Sequence, residues 1–229
     1  PFNMSANATH SQNTNTGTVT MALPSLQVSM SRIYPLAGKG GVKKNPLQKL
    51  GLTYNMQGEY RINTSEDEFF TPKMFETAKA GVQHRADAST NITLLNYVTL
   101  SPSINYREVW SFKSLSKTYD NEFQNSDGTF GTVVSDTISG FSNFREYGSS
   151  LSLSTNIYGT FNFKKGRLKA IRHTIRPSVS FSYRPDFADS YNETVRTNLD
   201  GTEFETYSPF GDGTSLYGSP GSGLSNTIG

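Results

Sequence analysis

The sequence has no cysteine among its 229 residues, so the chain forms no disulfide and carries out no thiolate chemistry. It has no apolar run near the roughly 20 residues that a membrane-spanning helix needs, which leaves strands as the only elements for crossing a bilayer. Its formal net charge of +2 is too small to indicate nucleic-acid binding. No signal peptide precedes Pro1, so we expect a processed or excised piece of a protein.

Aromatic residues are frequent although the chain is polar overall. They make up 12% of the sequence, whereas hydrophobic residues make up only 34% and the mean hydropathy is -0.51. A soluble enzyme is compatible with these numbers. They also suit a barrel that has a wet inner face and an aromatic-rich outer face.

The longest alternation of apolar and polar residues lies within the stretch 168–187. Because successive side chains of a strand point to opposite faces, this stretch has one apolar and one polar face. The apolar face consists of Ile171, His173, Ile175, Pro177, Val179, Phe181 and Tyr183. An alternation of about 13 residues exceeds the roughly five or six of most soluble strands and fits a tilted strand across a bilayer, which needs about 9 to 11.

Similar alternation elsewhere brings the predicted total to about seven strands. They lie at 2–9, 19–30, 52–62, 82–88, 98–110, 151–163 and 171–183. Pro24 shifts the phase of the second strand, which predicts a β-bulge. The polar stretch 113–146 is predicted to be a long loop, and the sequence KKGR at 164–167 a tight hairpin turn.

The lengths of the connections predict a membrane topology. Connections after odd-numbered strands lie on one side and include three long polar segments, whereas those after even-numbered strands include the two shortest turns, as in outer-membrane barrels. The predicted fold class is all-β, and because about seven strands ending in a loop leave open edges, we expect a fragment of a large antiparallel transmembrane β-barrel. Residues 1–187 are predicted to form the strands and 188–229 one long extracellular loop.

Arginines recur on the polar faces of the predicted strands and are the candidate site residues. They are Arg61, Arg85, Arg107, Arg172, Arg176 and Arg184. A guanidinium binds phosphate with two parallel hydrogen bonds, so these side chains are candidates for contacting a glycolipid in the lumen. Alternatively, they pair with carboxylates such as Glu59 and Asp87 and make the wall rigid.

Neither a metal site nor a catalytic constellation is predicted. His10, His84 and His173 lie in different strands without ligand spacing. The S-x-x-K match at 114–117 lies in a serine-rich stretch, where chance matches are frequent, and its companion motifs are absent. We therefore expect a protein without enzyme activity and without a cofactor.

Five stretches spread over most of the chain carry a resemblance to a known family. They are MALPSLQVSMSRIYPL at 21–36, LSPSINYREVW at 100–110, STNIYGTFNF at 154–163, RHTIRPSVSFSYRPDF at 172–187 and SLYGSPGSG at 215–223. In this order they resemble the LptD (organic solvent tolerance protein) family of outer-membrane lipopolysaccharide assembly proteins, in the form found in Bacteroidetes. All five are strand and loop sequences rather than catalytic motifs.

The resemblance implies a very large barrel in the cell outer membrane, surrounded by outer-membrane lipid. It implies that the barrel receives lipopolysaccharide from periplasmic Lpt bridge proteins, holds an LptE-like lipoprotein plug, and releases its cargo into the outer leaflet through a lateral opening. The chain departs from the full family pattern, because no periplasmic jellyroll domain, barrel end or family cysteine is visible. For this reason no gate residue is assigned.

Two other classes of protein fit the same patterns. Another outer-membrane barrel, either a protein-secretion translocon or a nutrient-uptake transporter, has the same strand pattern and differs in its bound partner. A soluble β-sandwich adhesin or binding module would use the aromatic residues as core, and it would not depend on detergent.

Overall fold

A computed structural model describes residues 2–126, 128–163 and 169–229 of the chain. The predicted all-β class is confirmed. The strands are β1 (Phe2–Asn13), β2 (Thr18–Ile33), β3 (Gly51–Ser65), β4 (Lys79–Ser89), β5 (Ile92–Leu94), β6 (Val98–Gln124), β7 (Phe130–Thr155), β8 (Ile157–Asn162), β9 (Ala170–Ile175), β10 (Ser178–Arg184), β11 (Glu193–Arg196), β12 (Phe204–Tyr207) and β13 (Ser225–Ile228). Two short helices, α1 (Pro72–Glu76) and α2 (Ala188–Tyr191), and three 3₁₀ turns, Lys39–Gly41, Leu47–Lys49 and Glu66–Glu68, complete the elements. Among the described residues, no helix has both the length and the apolar character needed to cross a membrane.

The long strands form one antiparallel sheet in the order β1-β2-β3-β4-β6-β7-β10-β13, with β5 paired to β6. The ribbons β8–β9 and β11–β12 are separate. Because neighbouring strands run in opposite directions, the connections alternate between two ends of the sheet. The upper end carries the connections at 14–17, 66–78 and 185–224 and the β6–β7 turn, and the lower end carries those at 34–50 and 90–97 together with the β8–β9 ribbon.

The stretch 113–146 was predicted to be a loop, and this prediction is wrong. Most of it belongs to β6 and β7, which pair as far as Gln124 and Phe130. A register shift after Ser111 places an extra residue in β7 and breaks the alternation. The sequence reading therefore failed because the bulge hides the phase of a strand that is mostly polar.

The single strand predicted for 171–183 is divided into β9 and β10. Between them lies Pro177, which has no N–H for a ladder hydrogen bond, although Thr155 N donates to its carbonyl at 3.2 Å. In the β8–β9 ribbon Ile157 lies opposite Ile175, and in the β7–β10 pair Ser154 lies opposite Ser178. The two strand pairs therefore share one continuous register. The turn predicted at 164–167 lies outside the described residues.

The stretch 188–229 was predicted to be one loop and contains regular elements instead. It begins with α2, continues through the β11–β12 hairpin and ends in β13, which pairs with β10 and places Ile228 opposite Phe181. The strand β13 was missed because its four residues are too few to show alternation. With β5 and β13, the sheet has nine strands rather than about seven.

The two faces of the sheet differ as the alternation predicted. A register shift between Ala22 and Ser25 confirms the bulge at Pro24 and keeps the apolar residues of β2 on one face. That face exposes large hydrophobic side chains, among them Phe2, Met4, Ile104, Leu151, Leu153, Val179 and Phe181. The opposite, polar face carries the buried residues Val109 and Phe144, because a later part of the chain folds over it.

Candidate functional site

The candidate site is the polar face of the sheet, where neighbouring strands bring polar side chains together. Gln57 lies opposite Gln27 on one side and Gln83 on the other, and Arg85 lies opposite Asn55. These five side chains line a polar cavity of about 150 Å³. The cavity results from the period-2 alternation of three consecutive strands whose polar residues meet in register.

The six predicted arginines occupy three places. Arg61, Arg85 and Arg107 lie on the polar face of β3, β4 and β6, and Arg85 is directly opposite Arg107. Arg184 ends β10 near the upper end, and its Nη2 donates to the Ser222 carbonyl at 3.3 Å. Arg172 and Arg176 are exposed near the lower end, in β9 and just after it. The structure thus brings Arg85 and Arg107 together and leaves Arg172 and Arg176 apart from them.

Arg107 is the most completely bonded of the six. Its guanidinium forms an ion pair with Glu146 and donates to the Tyr217 carbonyl, and its Nε donates to Gln83 Oε1 at 3.1 Å. The guanidinium carbon also lies 5.3 Å from the centroid of the Phe144 ring. Because its donors are directed at protein groups, Arg107 holds the wall together in this structure.

Arg61 also has a carboxylate partner. Its Nε donates to Glu59 Oε1 at 2.7 Å and its Nη2 to Glu59 Oε2 at 3.1 Å, which is a two-pronged pair within one strand. Arg85, in contrast, has a single side-chain hydrogen bond within the described part of the chain, to Gln83 Oε1 at 3.4 Å. The alternative in which arginines pair with wall carboxylates is therefore confirmed for Arg61 and Arg107. The contact of these arginines with a glycolipid stays a prediction.

A segment at 185–224, the covering segment, lies on the upper part of the polar face. Its Phe210 packs against Val109 and Phe144, and the ring centroids of Phe210 and Phe144 are 4.8 Å apart. Tyr191 and Tyr217 pack against this cluster. Backbone bonds fix it to the sheet: Leu115 N donates to Pro209 O at 2.7 Å. Gly221 N donates to Glu146 Oε1 at 2.6 Å, so one carboxylate joins the segment to Arg107.

The β11–β12 hairpin of the covering segment packs on the extension of β6 and β7. Val195 and Tyr207 form a buried cluster with Leu115, against which Val133 packs. Tyr207 donates its hydroxyl to Glu193 Oε2 at 2.6 Å. Burial, followed by this bond to a carboxylate, raises the pKa of Tyr207. Burial, with Glu59 nearby, also raises the pKa of Tyr217, so Tyr207 and Tyr217 stay neutral well above physiological pH.

Sequence reasoning missed the covering segment as part of the site. Its glycine, serine and proline content indicated a loop, and alternation is too short in β11 and β12 to be recognised. The available indication was the recurrence of aromatic residues in an otherwise polar stretch. These are Phe187, Tyr191, Phe204, Tyr207, Phe210 and Tyr217. Loops that stay in water rarely need so many large apolar rings.

The apolar face has its own polar exception at Glu108. The carboxylate accepts hydrogen bonds from the Tyr106 hydroxyl at 2.6 Å and Trp110 Nε1 at 2.9 Å. Asn143 Nδ2 donates to it at 3.2 Å, and Arg145 lies 3.5 Å away. The Glu108 carboxylate is thus surrounded by donors, which reduces the cost of its position on an apolar surface. In the described part of the chain, no group of three or more candidate metal ligands occurs.

The comparisons with known proteins agree with this two-faced sheet. A model of the family described as LptD protein matches residues 1–229, the full printed sequence. No curated protein and no solved structure matches the chain. The family consists of β-barrel proteins of the outer membrane that serve lipopolysaccharide transport, with lipopolysaccharide as cargo and other Lpt proteins as partners. The chain therefore belongs to the LptD protein family and has a role in lipopolysaccharide transport at the outer membrane.

Proposed function

We propose that the chain forms part of the wall of a large barrel that inserts lipopolysaccharide into the outer leaflet of the outer membrane. The observation that carries this proposal is the division of one sheet into an exposed apolar face and a polar face lined by arginine, glutamine and asparagine. A charged headgroup is expensive to move through hydrocarbon, so a polar inner wall lowers that barrier while the apolar face remains in lipid.

Four of the predicted arginines are proposed to contact the phosphates of the cargo. Arg85, Arg172, Arg176 and Arg184 have no ion pair with a carboxylate in the described part of the chain, so their guanidinium groups are available to an external anion. Arg61 and Arg107 have carboxylate partners, and a phosphate would have to compete with these partners. We therefore assign Arg61 and Arg107 to the wall.

The lower part of the polar face is proposed to contact the other components of the translocon. The covering segment occupies the upper part, which leaves the cavity around Arg85 and the β8–β9 ribbon open to a plug such as an LptE-like lipoprotein. The upper end, including 188–224, is proposed to be extracellular, and the lower end to face the periplasmic Lpt bridge proteins. The longest connection, 185–224, lies at the upper end, and the longer loops of outer-membrane barrels are extracellular. A Bacteroidetes-type protein and a fragment of a larger barrel remain part of this proposal.

The alternatives have less support. A β-sandwich requires a second sheet on the apolar face, whereas the apolar residues of the described strands are mostly exposed. A barrel for protein secretion or nutrient uptake would share the two-faced wall, but the family match favours lipopolysaccharide as the cargo.

Conditional depletion of the full-length protein tests the proposed function. Newly made lipopolysaccharide is followed at the cell surface, and protein secretion is followed in parallel. We expect surface lipopolysaccharide to fall and to accumulate inside the cell while secretion is initially intact. Normal delivery of lipopolysaccharide to the surface would overturn the assembly role and leave secretion or uptake as the function.

A further inference from the structure

The connection at 66–78, here called the flap, folds back onto the apolar face of the sheet. Its Met74 and Ala78 are buried against Val19, Met21 and Ile62. Ile62 follows Met56 by six residues in β3, and β3 pairs with β4 in an unbroken register, so both side chains point to the same apolar face. Met74 of the flap thus packs on the apolar face, whereas the covering segment packs on the polar face. The two segments meet at the upper rim, where Glu76 and Thr77 line a cavity together with Asp212 and Thr214.

The first half of the flap is held in place by contacts with β1 and the β1–β2 turn. Glu66 N donates to the Gly17 carbonyl at 2.8 Å, and Gln12 Nε2 donates to Glu66 Oε1 at 2.8 Å. The Phe69 ring packs edge-on near His10, with the ring centroids 6.4 Å apart. These contacts tie the flap to β1 and to the β1–β2 turn, so it is an ordered element of the upper end and its orientation is defined.

Two aromatic side chains of the flap are largely exposed, although the Phe70 ring contacts the Phe69 ring with the centroids 4.3 Å apart. Phe70 is 75% exposed and Phe75 is 53% exposed, although both neighbour the buried Met74. Phe70 has a φ of 62°, in the left-handed region that bulky residues rarely adopt. Backbone strain of this kind is concentrated at functional sites, so the outward Phe70 ring indicates a binding partner.

The flap is amphipathic. The 3₁₀ turn before Phe70 carries Glu66, Asp67 and Glu68, and Lys73 forms an ion pair with Glu68. The exposed rings thus lie in the same short segment as charged side chains and as Met74, which is buried on the apolar face of β2 and β3. Such a combination is typical of elements that lie at the boundary between lipid and water.

We propose that the flap is an interfacial membrane anchor, with Phe70 and Phe75 inserted among the acyl chains of the leaflet at the upper end. The occupant is lipid because the flap continues the same exposed apolar face that carries Met4 and Ile104. The acidic turn stays among the headgroups, where charge is inexpensive. This inference rests on the proposed position of the sheet in the outer membrane, and it adds a second contact with the bilayer beyond the strands.

Site-directed spin labelling of the full-length protein in lipid vesicles tests the anchor. Phe70→Cys and Phe75→Cys place labels on the flap, and the chain itself has no other cysteine. Ile104 on the apolar face and Leu199 in the β11–β12 connection serve as matched references, because both are 58% exposed. At each label, the collision rate with oxygen, which concentrates in lipid, is compared with that of a water-soluble nickel chelate.

We expect the ratio of oxygen to nickel accessibility at positions 70 and 75 to shift from the value at Leu199 toward the value at Ile104. A water-like ratio at 70 and 75 with a lipid-like ratio at Ile104 would overturn the anchor and leave the membrane wall intact. Low accessibility to both reagents at 70 and 75 would also overturn it, since a protein then covers the rings. A water-like ratio at Ile104 would instead contradict the membrane position on which the inference rests.

Discussion

The covered upper part of the polar face and the exposed β8–β9 ribbon have the same alternating pattern and opposite environments. In the covered part, Val109 and Phe144 are completely buried, whereas every residue of β8 and β9 is exposed. The difference comes from the covering segment, which reaches only the upper part of the sheet. Alternation therefore determines which face a residue occupies, and a distant segment of the chain determines whether that residue is buried.

The arginines of the two regions differ in the same way. Arg107 has Glu146, Gln83 and the Tyr217 carbonyl as partners. Arg172 in the ribbon is exposed, and its guanidinium carbon lies 4.5 Å from the centroid of the Tyr158 ring. One residue type thus has a structural role under the covering segment and a proposed cargo-binding role outside it.

Removing the ring at the centre of the covered part is expected to have the largest effect. Phe144→Ala would leave a cavity beside Val109 and Phe210 and lower the free energy of unfolding by about 3 to 5 kcal/mol. The covering segment should detach first, because it has lost its main packing partner. Denaturant unfolding and limited proteolysis of the segment measure the two effects.

Phe204→Ala is the matched control for this change. Phe204 belongs to the covering segment but is exposed, so its removal should change the free energy of unfolding by no more than about 0.5 kcal/mol. Equal losses in the two variants would show that the Phe144 cluster does not hold the segment.

Breaking the link between Arg107 and the covering segment should have the second largest effect. Glu146→Gln removes the charge and leaves one acceptor oxygen for two donors, the Arg107 guanidinium and the Gly221 N–H. An unsatisfied, partly buried cation makes the expected loss about 2 to 3 kcal/mol. Denaturant unfolding measures the loss, and proteolysis again reports on the segment.

Glu59→Gln provides the comparison for a similar pair that, among the described residues, makes no hydrogen bond to the covering segment. Its partner Arg61 is 44% exposed, and water screens such a pair, so the loss should be at most about 1 kcal/mol. If Glu146→Gln destabilised the protein no more than Glu59→Gln, the bridging role of Glu146 would be wrong.

The sequence was sufficient to predict the fold class, the two faces and the bulge at Pro24, since each depends on local alternation. It was insufficient for two stretches in which the alternation of apolar and polar residues is hidden or too short to recognise. In 113–146, a polar outer face and a bulge after Ser111 hid two long strands. In 225–228, the strand is short and exists because β10 offers a free edge.

The candidate site was predictable in part. The polar-face positions of Arg61, Arg85 and Arg107 follow from alternation and agree with the structure. The partners of Arg107 were not predictable, because Glu146 lies in a stretch read as a loop and Tyr217 is 110 residues away in sequence. Contacts over such distances depend on the folding of the covering segment, for which the chain has only scattered aromatic residues as an indication.

Alkaline pH is expected to loosen the covered part through Tyr217. Burial and the nearby Glu59 raise the pKa of this phenol in the folded protein, whereas Arg61 lowers it. The folded pKa is above that of the unfolded chain, so the contribution to stability is complete below the ordinary phenol pKa and is lost as pH rises through the folded value. Phenolate absorbance and proteolysis of the segment, recorded against pH, measure this loss.

Tyr217→Phe retains the ring and removes the titration. The variant should therefore keep its covering segment attached to a higher pH than the unmodified protein. Identical alkaline release in both proteins would assign the pH dependence to other groups.

The smallest effect on stability is expected in the β8–β9 ribbon, where an arginine proposed to bind cargo can be compared directly with a wall arginine. Arg172→Gln removes an exposed cation that has no ion pair with a carboxylate in the described part of the chain, so the free energy of unfolding should change by no more than about 0.5 kcal/mol. If Arg172 binds cargo phosphate, the same change should reduce crosslinking between lipopolysaccharide and a photoreactive group placed at Tyr158. Arg61→Gln, which removes a wall arginine, should leave that crosslink unchanged. Loss of the crosslink in both variants would indicate a general disturbance of the wall, and its retention in Arg172→Gln would remove Arg172 from the cargo path.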